Sequence, residues 1–282
     1  MALLSGLKLL CGHYAGLFHK TMAAKIKTLR ESVSMPMKVN AVRLQAEEER
    51  LKAAYARRLN YVPRDRYSVF SVSHLLTIQE LERSLLALLR DQNICHLDSM
   101  RILEAGCGTG YWLSQFVRWG ARPENVFGID LLPERIAEAQ KLCPAGVNIR
   151  LGNACSLDMP ESSFDVVAAF TLFSSVLDPA VRTQVAGELS RVLASNGVIL
   201  WYDLRVDNPA NPDVRGLTKN EIQALFPGCR LHLKRVTLVP PLARFLAPRV
   251  PFSYGLLSGL KLLCGHYAGL FHKTKATKIK AL

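Results

Sequence analysis

The 282-residue sequence has no C-x-x-C pair, no uninterrupted apolar run of membrane-spanning length and, before Glu31, no acidic residue. The seven cysteines (Cys11, Cys95, Cys107, Cys143, Cys155, Cys229, Cys264) are odd in number and scattered. That pattern excludes a C-x-x-x-C-x-x-C radical cluster and most zinc-site spacings. It suits reduced thiols in a cytoplasm, most of them packed as small hydrophobes. A membrane helix needs about twenty apolar residues in a row, and Lys8, His13, Lys261 and His266 interrupt the two most apolar ends, so a soluble, cytoplasmic protein is expected.

What the chain has in excess is itself. LLSGLKLLCGHYAGLFHKT occupies Leu3–Thr21 and again Leu256–Thr274, and with the looser continuation 24 of 27 positions agree at an offset of 253. In each copy leucines at helical spacing (256, 257, 260, 263) precede Gly265 and then HYAGLFHK, which alternates like a strand. The unit reads as helix, turn and strand, with Gly265 as the break; the C-terminal copy is expected to supply a final antiparallel strand and the N-terminal copy to be surplus. The acid-free start also fits an organelle presequence, a rival reading of the first copy. A third is exchange of the spare strand between protomers.

Positive charge is in surplus, a net +13, but unevenly. Residues 51–204 carry fifteen Lys/Arg against sixteen Asp/Glu, whereas residues 205–282 carry thirteen against three. The central region is neutral and the C-terminal third holds +10. Such an end suits anionic lipid, RNA or an acidic substrate, or is a solvated face.

Residues 38–59 place charges and leucines at helical spacing, an exposed amphipathic helix. Thr77–Gln92 reads as a second helix, with Thr77 and Glu80 as a capping box and Leu81, Leu85, Leu88 and Leu89 as its apolar stripe. From Met100 onward short apolar strands alternate with helices: RILEAG, NVFGID, VNIRLGNA, FDVVAAF and GVILWYDL are the strands. Asp178 caps the helix before the fifth, Thr218 and Glu221 cap a later one, and RLHLKRVTLV reads as a sixth strand. This regularity predicts an α/β fold, a mostly parallel sheet covered on both faces. The domain limits follow: 1–37 a duplicated extension, 38–99 a helical cap, 100–282 the ligand-binding domain.

The chemistry sits in LEAGCGTGYW, where Gly106, Gly108 and Gly110 lie between a strand and a helix, after Glu104. Glycines there let a ligand approach the backbone, because no Cβ intervenes. A dinucleotide turn spaces them G-x-G-x-x-G to seat a pyrophosphate. Here the third site of that template is Tyr111 and the glycine comes one residue early, which favours a ligand without a diphosphate. Asp130 ends the second strand, where a carboxylate can accept from a ribose diol, and Asn153 and Ala154 end the third, where the Asn153 amide could read an adenine edge.

Together these segments resemble the class I S-adenosylmethionine-dependent methyltransferases, nearest the small-molecule, quinone-pathway group. The resemblance rests on Glu104–Gly110, Gly128–Asp130, Phe164–Ser175 and Arg191–Asp203. It implies a three-layer Rossmann-like sheet, mostly parallel with an antiparallel last strand, and S-adenosyl-L-methionine as cofactor. It places Glu104, Gly106, Gly108 and Gly110 on the methionine part, Asp130 on the ribose and Leu131 beside the adenine. Asn153 and Ala154 would border the adenine ring, and Phe170 and Thr171 the sulfonium. The acceptor implied is a small molecule with an oxygen or carbon nucleophile. An RNA acceptor using the basic C-terminal region and a non-catalytic cofactor-binding subunit are the alternatives. FTLF stands where an Asn/Asp-Pro-Pro-aromatic motif would mark methylation of a base amino group. Tyr67, His74, Tyr202, Asp203 and His232 are candidates for a base or acceptor ligand, and the polar loop Tyr202–Gly216 for a wall of the acceptor pocket.

Overall fold

The computed structural model describes residues 39–274; the N-terminal copy of the repeat and the tail after Thr274 lie outside the described residues. Two helices come first, α1 (Ala41–Tyr61) and α2 (Val72–Arg90). The alternating region follows: β1 (Ile102–Ala105), α3 (Tyr111–Arg118), β2 (Val126–Asp130), α4 (Pro133–Leu142), β3 (Asn148–Leu151) and β4 (Phe164–Phe170). After these come α5 (Pro179–Val192), β5 (Leu193–Leu204), α6 (Lys219–Leu225) and β6 (Cys229–Leu238). Two short helices, α7 (Pro240–Leu246) and α8 (Pro251–Gly259), lead into β7 (Cys264–Lys273).

The seven strands form one sheet in the order β3-β2-β1-β4-β5-β7-β6. The first five are mutually parallel, and β7 runs antiparallel between β5 and β6. This is the three-layer arrangement expected from the strand–helix alternation, closed by the strand of the C-terminal repeat. Because successive side chains point to opposite faces, each strand feeds two cores. Ile102, Val166, Ala168, Val198 and Leu200 meet the stripe Leu81, Leu85, Leu88, Leu89 of α2 and the aromatic side of α3. Leu103, Val167, Ile199, Trp201 and Phe271 meet Val181, Val185 and Leu189 of α5 and Ile222 of α6. On that second face Trp201 is fully buried, its ring centroid 4.6 Å from Phe173, 5.5 Å from Phe271 and 6.0 Å from Phe226.

Local signals account for the helix starts. The Asp178 carboxylate accepts from the N–H of Ala180 and Val181, and Thr218 and Glu221 form the reciprocal cap of α6. Two expectations are corrected. The helix α2 begins at Val72, with Ser71 before it, so Thr77 is interior and its hydroxyl donates to the Ser73 carbonyl at 2.7 Å. In the repeat the helix ends at Gly259, a short 3-10 turn covers Lys261–Leu263, and Gly265 lies inside β7. A Cβ on Gly265 would stand 3.3 Å from the Val239 backbone, so this glycine permits a close approach and does not break a helix. Four of the described cysteines are buried, as expected of small hydrophobes; Cys143 is half-buried and Cys95 exposed.

Candidate functional site

At the carboxyl edge of the sheet the glycine turn is held by the neighbouring strand. The N–H groups of Gly106 and Cys107 both donate to the Ile129 carbonyl at 2.9 Å. All three turn glycines have positive φ (73°, 56° and 83°), a region costly to any residue with a side chain. Gly110 caps α3 in this conformation, and a Cβ there would lie 2.2 Å from the Cys143 sulfur. Asp130 ties the parts together: one carboxylate oxygen accepts from Gly108 N–H (2.9 Å), the other from Leu132 N–H (3.0 Å). The carboxyl end of β3 joins this frame through Gly152 N–H, which donates to the Asp130 carbonyl at 3.0 Å.

Two residues carry signs of a built site. Glu104 is 2% exposed, and one of its carboxylate oxygens has no hydrogen-bond partner among the described residues. Burial first, and then the nearby charge of Asp130, pushes its carboxyl well above the usual range. Thr171, just past β4, has φ 52°, an outlier for a β-branched residue, and its N–H donates to the Tyr202 carbonyl at 2.6 Å.

These ends surround an open-mouthed cavity of about 830 Å³, the solvent space at its mouth included. Of the ten residues predicted from the sequence, Gly106, Asp130, Leu131, Asn153, Ala154, Phe170 and Thr171 line it. Glu104, Gly108 and Gly110 form the frame behind it. Asn153 is already engaged: its carbonyl oxygen accepts from Cys155 N–H (2.9 Å) and its amide donates to Glu48 (3.3 Å).

Val181 and Val185 of α5 line one side, and another wall comes from α1, a helix whose charge pattern predicts exposure and no link to the site. Leu44, Leu51 and Tyr55, at helical spacing on one stripe, line the cavity with Glu47 and Glu48. Glu47 is 7% exposed; its carboxylate accepts from Leu177 N–H at 2.6 Å and pairs with Arg50, which also hydrogen-bonds the Ser175 carbonyl. The helix is thus stapled to the segment after β4. The Arg135 guanidinium lies 4.3 Å from the Tyr55 ring centroid, linking α1 to the start of α4. The signal available in the sequence was the stripe Leu44–Leu51–Tyr55; a buried acid among three consecutive glutamates had none.

None of Tyr67, His74, Tyr202, Asp203 and His232 lines the cavity, nor does the loop after β5. Tyr202 stacks on His266 and its hydroxyl meets that of Thr237 at 3.1 Å, inside the sheet. Asp203 anchors the Ser174 N–H (3.0 Å) and its own neighbour, Leu204 N–H (2.8 Å). Both are structural, satisfied inside the core. Burial pushes the Asp203 carboxyl up to about 6 from an ordinary 3.8. The folded chain therefore holds this proton more tightly than the unfolded chain does. Its contribution to stability is complete below about pH 4 and is lost as pH rises through about 6. Urea midpoints of Asp203→Asn should consequently decline less between these pH values than those of the unaltered protein; parallel profiles would contradict this.

Comparison with known proteins adds the family. The methyltransferase-domain family model matches residues 102–197. A phosphatidylethanolamine N-methyltransferase of Cereibacter sphaeroides is 34% identical over 162 residues, which cover 55% of this chain and 75% of that protein. A probable S-adenosylmethionine-dependent methyltransferase of Mycolicibacterium smegmatis is 36% identical over 144 residues, 48% of this chain. The chain spans about half (53%) of that relative's length. Among solved structures, an S-adenosylmethionine-dependent methyltransferase from Mesorhizobium loti superposes with a TM-score of 0.53 at 16% identity, over 68% of this chain and 96% of that one, a likeness of fold. With the glycine turn, the sheet order and these relatives in agreement, the chain belongs to the class I S-adenosylmethionine-dependent methyltransferases.

Proposed function

We propose that this protein transfers a methyl group from S-adenosylmethionine to a small-molecule acceptor through an oxygen or carbon nucleophile. The observation that carries the reading is the convergence of β1, β2, β3 and β4 on one cavity whose wall includes seven of the ten predicted residues. The residues suit the cofactor. Glu104 offers a buried carboxylate oxygen with no partner among the described residues, fit for the methionine ammonium, and the positive-φ glycines leave the backbone open beside it. Asp130 keeps free lone pairs for a ribose diol after holding its two backbone N–H groups. Leu131, Asn153 and Ala154 would border the adenine, and Phe170 and Thr171 the sulfonium.

The cofactor supplies a methyl group already activated by its sulfonium, so the protein's task is to align the acceptor. Orientation can supply on the order of 7–11 kcal/mol, against about 3–5 kcal/mol for a general base. The reaction therefore does not require a base in the cavity. A second reading has support: the Cereibacter relative is named for methylation of a lipid amine, and Glu48 in the cavity wall would attract a cationic amine. Incubation with methyl-labelled cofactor and fractionated small-molecule, lipid and RNA extracts tests both. Label in a small oxygen- or carbon-methylated product supports the proposal, label on an amine supports the second reading, and label only in RNA overturns both. Cofactor binding without any labelled product would leave a non-catalytic binding subunit.

The same reading assigns the domain to residues 100–282, with 38–99 as a cap whose helix α1 closes the cavity and 1–37 as a surplus copy. One slot between β5 and β6 takes one strand, and the C-terminal copy fills it. Removing residues 1–34 is accordingly expected to leave S-adenosylmethionine affinity unchanged by calorimetry; a large loss would make the first copy part of the working protein.

A further inference from the structure

The connection between β6 and β7 is not a tight hairpin but the two helices α7 and α8, and its outer face is apolar. On α8 the exposed residues are Phe252 (81%), Leu256 and Leu260 just past its end, at the i, i+4, i+8 positions of one stripe, with Leu262 beside them. The opposite side of α8 is sequestered: Tyr254 and Ser258 are buried, and Tyr254 packs with Leu242, Ala243 and Leu246 of α7. The helix therefore has one partnered face and one apolar face turned to the surroundings, a pairing that soluble surfaces seldom keep without use.

A second segment extends this face. The Tyr254 hydroxyl donates to Thr77 in the first turns of α2 (3.2 Å), and Leu76 packs on the same cluster as α7 and α8. The chain leading into α2 exposes Val69 and Phe70, the latter 93% accessible, and Leu75 is partly exposed on α2 itself. The far end of α2 lies away from this rim, where Asp91 pairs with Lys234 of β6. The two apolar groups thus belong to one end of the molecule.

The cavity lies at that same end of the sheet. In the antiparallel ladders Leu204 of β5 is paired with His266, and Leu238 of β6 with Cys264. The α7–α8 connection consequently stands at the carboxyl edge of the parallel strands, as do the glycine turn and Asp130. Its charge is of one sign. Pro240–Leu263 carries Arg244, Arg249 and Lys261, all exposed, and no aspartate or glutamate. Arg64, Asp65 and Arg66 leave the other segment with a net +1. An apolar stripe whose own segment carries cations and no acid matches an anionic bilayer, whose headgroups pair with the cations while the apolar side chains enter the acyl boundary. A second copy of the same face would bring cations against cations.

We propose that α8 and the segment before α2 form a docking surface for anionic membranes, which brings the cavity's rim to the lipid. The proposal stands on this face and does not depend on which acceptor is methylated. Flotation of the full chain with phosphatidylcholine vesicles containing about a third phosphatidylglycerol tests it, against pure phosphatidylcholine. The protein should float with the anionic vesicles and much less with the neutral ones. Combining Phe252→Ser, Leu256→Ser and Leu260→Ser should lower the partition coefficient roughly a hundredfold, and Phe70→Ser alone about tenfold. Both variants should keep the thermal transition and the S-adenosylmethionine affinity of the unaltered protein, since these side chains project outward. Exchanging Arg249 and Lys261 for glutamine should abolish the preference for the anionic vesicles. The proposal is overturned if the full chain does not float, or if the triple variant floats equally well and binding lies elsewhere. It is also overturned if sedimentation shows a dimer that the triple variant abolishes, because a second copy then covers the face.

Discussion

Replacing Asp130 with alanine is expected to weaken S-adenosylmethionine binding by roughly a hundredfold or more, about 3 kcal/mol, in a chain that still folds. Two losses combine. The carboxylate is the acceptor for Gly108 N–H and Leu132 N–H, at 2.9 and 3.0 Å, so its removal leaves both donors without a partner and frees the turn that must be fixed before the cofactor arrives. Hydrogen bonds to charged groups contribute about 1.5–3 kcal/mol each, and part of that would be spent reordering the turn on binding. The proposed ribose contact is lost as well. Asp130→Asn keeps one acceptor and should fall between. Titration calorimetry with the cofactor and its demethylated product reads the effect, and alanine-variant affinity within threefold of the original would remove this carboxylate from the site.

The second large effect concerns Trp201. Truncation to alanine should destabilise the fold by about 3–5 kcal/mol, which for a chain of this size lowers the melting temperature by roughly 6–20 °C. The indole is fully buried and touches the rings of Phe173, Phe226 and Phe271, so its loss opens a cavity that four elements share. Its ring N–H has no hydrogen-bond partner among the described residues, and Trp201→Phe removes that unsatisfied donor while keeping most of the aromatic packing. The phenylalanine variant should therefore lose less than half as much in thermal melts. Phe173 sits two residues beyond Thr171, so the alanine variant should also loosen the Thr171–Ser175 wall and weaken cofactor binding. Equal melting temperatures for the two variants would show that the ring's contacts do not carry the stability.

Much of this arrangement is written locally in the chain. FDVVAAF spans the same seven residues as β4, Asp178 and Thr218 cap the helices they were expected to cap, and the glycine spacing picks out the turn. What local pattern misses are features decided by distant partners. Thr77 looks like a cap because Glu80 follows at the right interval, yet the helix continues back to Val72 and the hydroxyl simply bonds one turn behind. Gly265 resembles a helix stop, but its requirement comes from Val239, 26 positions earlier in the chain. Tyr202 and Asp203 carry the right chemistry for a base, and only the strand register shows that they serve the core. The acids of α1 become a cavity wall through Leu177 and Asn153, more than a hundred residues away.

The antiparallel wedge has a consequence for biosynthesis. The strand β7 is made after both strands it joins, so an emerging chain holds β5 with one bare edge and β6 with no neighbour until Cys264–Lys273 leaves the ribosome. Through that interval the same ten letters, CGHYAGLFHK at 11–20, have already been translated. One place in the sheet is therefore spelled twice in the chain, and the copy translated last is the one that fills it.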